Sequence, residues 1–212
     1  MATIKLLLSL LPLLSTIEGA CKSGALNQFE LAILDKHNSL RTLHQDTPDL
    51  CYGESGEDVT FTAESWAQAM ANAKTMQHST GGSYGENLAY AGTTGTVPGQ
   101  EEAYTKSTQA WYDEIKDWDF GKSASKGGVT GHFTQVVWKA SKQLNCGYAT
   151  FQNQYNSYYV VCQYYPPGNY GGQYAAEVTG VKEEGEGGSG AGLRFNSAVT
   201  ALVVLLVTVL YL

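Results

Sequence analysis

The chain contains no H-E-x-x-H pair and no P-loop, so the best-known zinc-protease and nucleotide signatures are missing. It has no N-x-S/T triplet, which excludes N-glycosylation. No segment repeats another. Basic residues are scarce: 13 Lys and Arg stand against 20 Asp and Glu, a net charge of −7. A chain of that sign is no electrostatic nucleic-acid binder, and it is not drawn to anionic lipid surfaces. Cysteine is limited to four residues. In a secreted chain an even number points to two disulfides rather than to zinc ligands or a thiol nucleophile. Four cysteines allow three pairings, and the spacing leaves all three open.

Long apolar runs are also lacking. None reaches the ~20 residues that a spanning helix needs, and the two shorter runs lie at the ends. Leu6 to Leu14 follows Lys5 and precedes Gly19 and Ala20, the pattern of a secretory leader over residues 1–19, cut after Gly19 or Ala20. Ala198 to Leu212 carries Thr200 and Thr208 and has no Lys or Arg beyond it, so an orienting basic flank is missing. Gly187, Gly188 and Ser189 precede it, followed by a polar spacer with Arg194 and Asn196. Small site, spacer and hydrophobic tail are the order of a GPI-attachment signal, in which the tail at residues 198–212 is removed. A tail-anchored or short single-span protein is the alternative. Residues 20–180 then make one domain. Residues 181–197, acidic and Gly-rich, form a flexible stalk that contains the attachment region.

Within the domain, apolar positions Phe29, Leu31, Ile33, Leu34, Leu40 and Leu43 predict a helix over residues 27–43. Asn27 and Glu30 have the spacing of a capping box. Residues 47–58, with Pro48, Gly53 and Gly56, read as a loop. Thr62 is placed to cap a second helix, rich in Ala and ending near Gln77, with Trp66, Ala69, Met70 and Ala73 on one face. A third begins between Gly99 and Glu101 and carries Ala103, Ala110, Trp111 and Ile115. Aromatic and β-branched runs then predict strands around Cys146–Phe151 and Tyr158–Tyr165, joined by a turn at Gln152–Asn156. Helices followed by an antiparallel hairpin define an α+β fold. The tyrosines clustered in residues 155–174 serve strand packing or form a binding patch. His44 reads as a surface residue. His37, with Asn38 and Arg41, reads as a buried polar brace.

Two segments carry a resemblance. Gly131–Trp138 (GHFTQVVW) and Tyr158–Asn169 (YYVVCQYYPPGN) each set lone polar or cysteine residues among aromatic and β-branched ones. Together they resemble the signature motifs of the CAP superfamily, the cysteine-rich secretory, antigen 5 and pathogenesis-related class 1 proteins. His37-Asn38-Ser39-Leu40-Arg41 resembles that family's H-N-x-x-R, Gly85-Glu86-Asn87-Leu88 its G-E-N-L, and Trp111-Tyr112-Asp113-Glu114 its W-Y-x-E. His78 stands where members carry a histidine after the second helix. The resemblance covers about Leu26 to Tyr170. It implies a three-layer α-β-α sandwich with a small antiparallel sheet between helices, and convergence of His78, Glu86, Glu114 and His132 on one central cleft. It also implies a Cys146–Cys162 bridge across the hairpin, as in animal members, which leaves Cys21 to Cys51.

Two neutral imidazoles with nearby carboxylates are suited to Zn or another divalent metal in an open, water-bearing site. The expected function is a secreted, GPI-anchored binding module with such a cleft and a lipid, sterol or protein partner. Residues Tyr90 to Gln100 stand where some relatives carry a sterol-binding loop, and here they are small and polar. One alternative is a metal-assisted or Glu/His general-base hydrolase, with Glu86 or Glu114 activating water. Another is an adhesive cell-surface domain with an inert cleft.

Overall fold

A computed structural model describes residues 21–183. The expected leader, the expected GPI-attachment region and the apolar run at residues 198–212 lie outside the described residues. Helix α1 (Gln28–Arg41) starts on the expected capping box: Asn27 Oδ1 accepts from the amides of Phe29 and Glu30, and Glu30 Oε2 accepts from the amide of Asn27. Strand β1 (Cys51–Tyr52) follows inside the stretch expected to be only loop. The backbone there is held from outside. Asn38 exchanges two hydrogen bonds with the main chain of Leu50, and Cys51 is bonded to Cys21.

Helix α2 (Ala63–Ala73) is shorter than expected, because Lys74 turns left-handed at φ 54° and closes it before Gln77. The Thr62 side chain does not cap it. Its Oγ1 instead meets the Tyr84 hydroxyl and accepts from the Gln163 amide, whose Oε1 receives the Thr62 N–H. A partner from a distant strand outcompetes the local cap.

Strand β2 (Gly85–Thr93) and helix α3 (Gln100–Tyr112) come next, then a 3₁₀ turn (Asp113–Asp117). The two-residue strands β3 (Trp118–Asp119) and β4 (Ala124–Ser125) pair with each other. Helix α4 (Gly131–Val136) contains most of the first signature segment. Strands β5 (Gln143–Gln152) and β6 (Asn156–Tyr165) form the expected hairpin, and α5 (Tyr174–Glu177) closes the domain.

The main sheet has the order β1-β5-β6-β2. Its β5–β6 and β6–β2 pairs are antiparallel, whereas β1 runs parallel to β5, so the expected antiparallel sheet is mixed. Alternation along β6 explains the layers. Tyr158, Val160, Cys162 and Tyr164 pack in a cluster with Ile33, Leu40, Ala103 and Trp111 of α1 and α3. Tyr159 and Val161 pack on the other face with Ala63, Ala67, Met70 and Ala71 of α2. A strand covered on both faces reads as a continuous apolar run, which is the character of Tyr158–Tyr165. The fold is a three-layer α-β-α sandwich. Both disulfides take the expected pairing, Cys21–Cys51 and Cys146–Cys162, and the second joins residues directly opposed across β5 and β6.

Candidate functional site: two carboxylate-held histidines beside β2

The four candidates assemble as two pairs. Glu86, on edge strand β2, is almost fully buried and accepts four hydrogen bonds. They come from His78 Nδ1 at 2.9 Å, the Ser79 amide at 2.9 Å, Ser79 Oγ at 2.7 Å and Gln163 Nε2 at 2.9 Å. His78 itself is mostly exposed. Glu114, in the 3₁₀ turn, accepts from His132 Nδ1 at 2.7 Å and from the amides of His132 and Phe133. The same carboxylate thus satisfies two free amides in the first turn of α4 and fixes the His132 ring. Trp111 stacks on that ring at 6.2 Å between centroids.

The chemistry of each pair follows from its acceptor. A carboxylate only accepts, so Nδ1 of each ring must donate. In the neutral imidazole this leaves Nε2 with the lone pair, on the side away from the glutamate. Both histidines are therefore held in the tautomer that a metal, or a proton, needs. Among the described residues, however, no group of three or more His, Cys, Asp or Glu side chains is placed to hold a metal ion.

Asn87, one residue after Glu86, ties the His132 side of the site to α1. Its Nδ2 donates to the His132 carbonyl at 3.1 Å and to the Tyr164 hydroxyl at 3.3 Å. The Tyr164 hydroxyl in turn donates to His37 Nε2, and His37 Nδ1 donates to the Ile33 carbonyl. The brace expected of His37, Asn38 and Arg41 is present. His37 and Arg41 are fully buried.

Burial, with Arg41 and Lys36 adding to it against the Ile33 hydrogen bond, lowers the His37 pKa from 6.5 to about 3. The unfolded chain takes up this proton near 6.5, while the folded chain refuses it until about 3. Stability from neutral His37 is complete above pH 6.5 and is lost as pH falls through that window, at roughly 1 kcal/mol per pH unit. Urea denaturation of wild type and His37→Gln between pH 4 and 7 should show a shallower acid loss in the variant. Parallel pH profiles would refute it.

His44 is the clear correction. Expected at the surface, it is fully buried. Nδ1 donates to the Thr179 carbonyl and Nε2 accepts from the Tyr112 hydroxyl, with the ring set among Tyr112, Phe120 and Phe133. It lies past the end of α1, where no periodic pattern could signal its burial.

Sequence reasoning also missed Gln163, Ser79 and Asn87 as holders of the site. The signal for Gln163 was its place as a lone amide in an apolar strand, which requires a buried partner. The two signature segments prove to be one structural unit. Thr134 Oγ1 donates to Asn169 Oδ1, Asn169 Nδ2 donates to the Gly131 carbonyl, and the Gly168 amide donates to Gln135 Oε1.

A disulfide-bonded α-β-α sandwich with two glutamate-held histidines beside an edge strand defines the class. The chain belongs to the CAP family, the cysteine-rich secretory protein family, whose profile matches residues 34–164. It is 34% identical over 151 residues to Protein PRY2 of Saccharomyces cerevisiae, covering 71% of this chain and 41% of that protein. It is 36% identical over 151 residues to human Cysteine-rich secretory protein 2, covering 67% of this chain and 58% of the relative. The chain thus spans well under two thirds of either relative. The solved structure of Schistosoma mansoni venom allergen-like protein 4 has the same fold, with a TM-score of 0.53 at 21% identity, over 75% of this chain and 98% of that one.

Proposed function

We propose that this chain is a secreted CAP-domain binding module, held at the cell surface by a GPI anchor, whose paired histidines bind Zn or another divalent metal. The observation that carries the metal reading is the carboxylate bond to Nδ1 of both His78 and His132, which leaves Nε2 as the ligand atom of each. The donor set fits an open site of two nitrogens and water, with Glu86 and Glu114 as orienting partners. It does not fit a closed structural zinc site, which takes four protein ligands. A bound metal would supply Lewis acidity and charge at the imidazoles. The chain's own residues hold the imidazoles in one tautomer and one orientation. A lipid, sterol or protein partner completes the reading, supported by the tyrosine-rich second half of the domain.

Calorimetric titration with Zn tests the site. Wild type should bind saturably at micromolar metal, and His78→Ala with His132→Ala should abolish binding while the thermal melt changes little. The fold rests on the disulfides and the core rather than on the metal. His37→Ala should do the reverse, lowering the melt and leaving the affinity unchanged. No saturable binding by wild type would end the metal reading. For the anchor, phosphatidylinositol-specific phospholipase should release the protein from cells. Retention with residues 198–212 still detectable by mass spectrometry would exclude the anchor.

A further inference from the structure

The end of the sheet remote from the histidine pairs has a different chemistry. No Asp, Glu, Lys or Arg occurs from Gln143 to Ala176, and none from Asn87 to Gln100. These two stretches supply the β5–β6 hairpin tip and the loop folded against it, where Asn156 Nδ2 donates to the Gly95 carbonyl at 2.8 Å. In a chain whose net charge is −7, the strands and loop at this end of the sheet therefore carry no charged side chain of their own, and Glu102 and Lys106 of α3 lie on the side of Tyr158.

The pairing register puts Tyr90 beside Tyr159, and Gly92, Ser157 and Phe151 in the next row on the same face. Gly92 and Ser157 are small, so the aromatic rings stand around a shallow floor. A Cβ at Gly92 would press on the Tyr90 hydroxyl, Ser157 Oγ and Tyr155 Cβ at 3.1–3.2 Å. Phe151 stacks on Tyr159 with centroids 4.8 Å apart, and Tyr90 lies 5.6 Å from Tyr159. Tyr90 and Tyr155 are 46% and 47% exposed, high for rings that could have been turned into a core.

We propose that this hairpin tip is a binding site for neutral oligosaccharide chains. Sugar rings present apolar C–H faces that stack on aromatic rings, and equatorial hydroxyls that pair with amides and hydroxyls. The tip supplies both on one face: Tyr90, Phe151 and Tyr155 as rigid amphipathic platforms, and the hydroxyls of Tyr90, Tyr155 and Ser157 as donors and acceptors. The missing charge selects among ligands. A sulfated or phosphorylated polymer, a nucleic acid or an anionic membrane would be attracted by Lys and Arg, and the tip has none. The site is independent of the histidine pairs and survives if the metal reading fails.

The test titrates the full mature protein with cellohexaose, laminarihexaose, mannohexaose and chitohexaose, with a sulfated heparin hexasaccharide as the charged control. At least one neutral hexasaccharide should bind saturably, with an affinity unchanged by added salt. Tyr90→Ala with Tyr155→Ala should weaken that binding about tenfold or more. Tyr170→Ala, equally exposed but outside the patch, should leave it intact. Amide shifts on titration should map to residues 90–96 and 150–157, a readout that needs no variant to fold. Absence of saturable binding by all four neutral sugars overturns the proposal. So does preference for the heparin fragment, unchanged affinity in the double variant, or shifts confined elsewhere, as a protein-binding surface would give.

Discussion

Arg41→Lys should destabilise the domain by about 3 kcal/mol, lowering its melting temperature by roughly 6–12 °C. The guanidinium is fully buried at the end of α1, and the structure gives it backbone carbonyls as hydrogen-bond acceptors. Nε donates to Pro48, Nη1 to Val136 and Trp138 at 2.9 Å each, and Nη2 to Ser141 at 3.2 Å. Burial lowers its pKa to about 10, so it remains charged at neutral pH. The charge sits at the C-terminal end of α4, against the Val136 carbonyl, where a helix favours a cation.

Lysine keeps the charge but has a single nitrogen, which cannot reach carbonyls spread around a planar fork. Each carbonyl left buried and unbonded costs about 1–3 kcal/mol. Because α4 carries His132, hydrogen exchange at residues 131–141 should rise in the variant more than exchange in α2. A lysine variant within 1 kcal/mol of wild type by chemical denaturation would mean that these bonds are replaceable.

The second large effect is expected at Gly147 of β5. A Cβ there would overlap the Cα of Glu64 and the carbonyl carbon and oxygen of Ala63, which are backbone atoms of the first turn of α2. No side-chain rotation can relieve that contact, so the helix must lift off the sheet. Gly147→Ala should cost about 2–3 kcal/mol, at the upper end for an overpacked core. The shift should also break the bond from the Tyr148 amide to Glu64 Oε2, now 3.0 Å. Equilibrium unfolding gives the cost, and chemical shifts of Ala67 and Ala71 report the displacement. Wild-type stability with unmoved α2 resonances would show that the interface has slack. Gly85 is a milder case, because its Cβ would meet the Gln135 side chain, which can move further than a helix backbone.

Several features of this protein were written locally. The capping box of α1 needs only Asn27, Glu30 and the intervening amides, all within one turn. The hairpin follows from two aromatic and β-branched runs around a polar turn, and Cys146 and Cys162 oppose each other as soon as that turn forms. The brace on α1 was legible through the resemblance of His37-Asn38-Ser39-Leu40-Arg41 to a family motif. Each of the two histidine–glutamate pairs was legible by its members, since motifs name residues.

Other features had no local cause. GENLAYAGT is small and polar for a strand, and it becomes β2 because the full length of β6 pairs with it. Residues Cys51–Tyr52 become β1 because Asn38, a disulfide and the start of β5 hold them extended. Thr62 gives up its cap to Gln163, and His44 is buried by rings from α3, the loop after β3 and α4. Sequence thus determined the fold class and the disulfide inventory through composition and periodicity, and its resemblance to a family named the histidines and glutamates that meet beside β2. Tertiary structure alone decided the tautomers of His78 and His132, the pairwise arrangement of the site and the uncharged face at the hairpin tip. These depend on which atoms distant segments bring within hydrogen-bonding reach, and no local pattern encodes that.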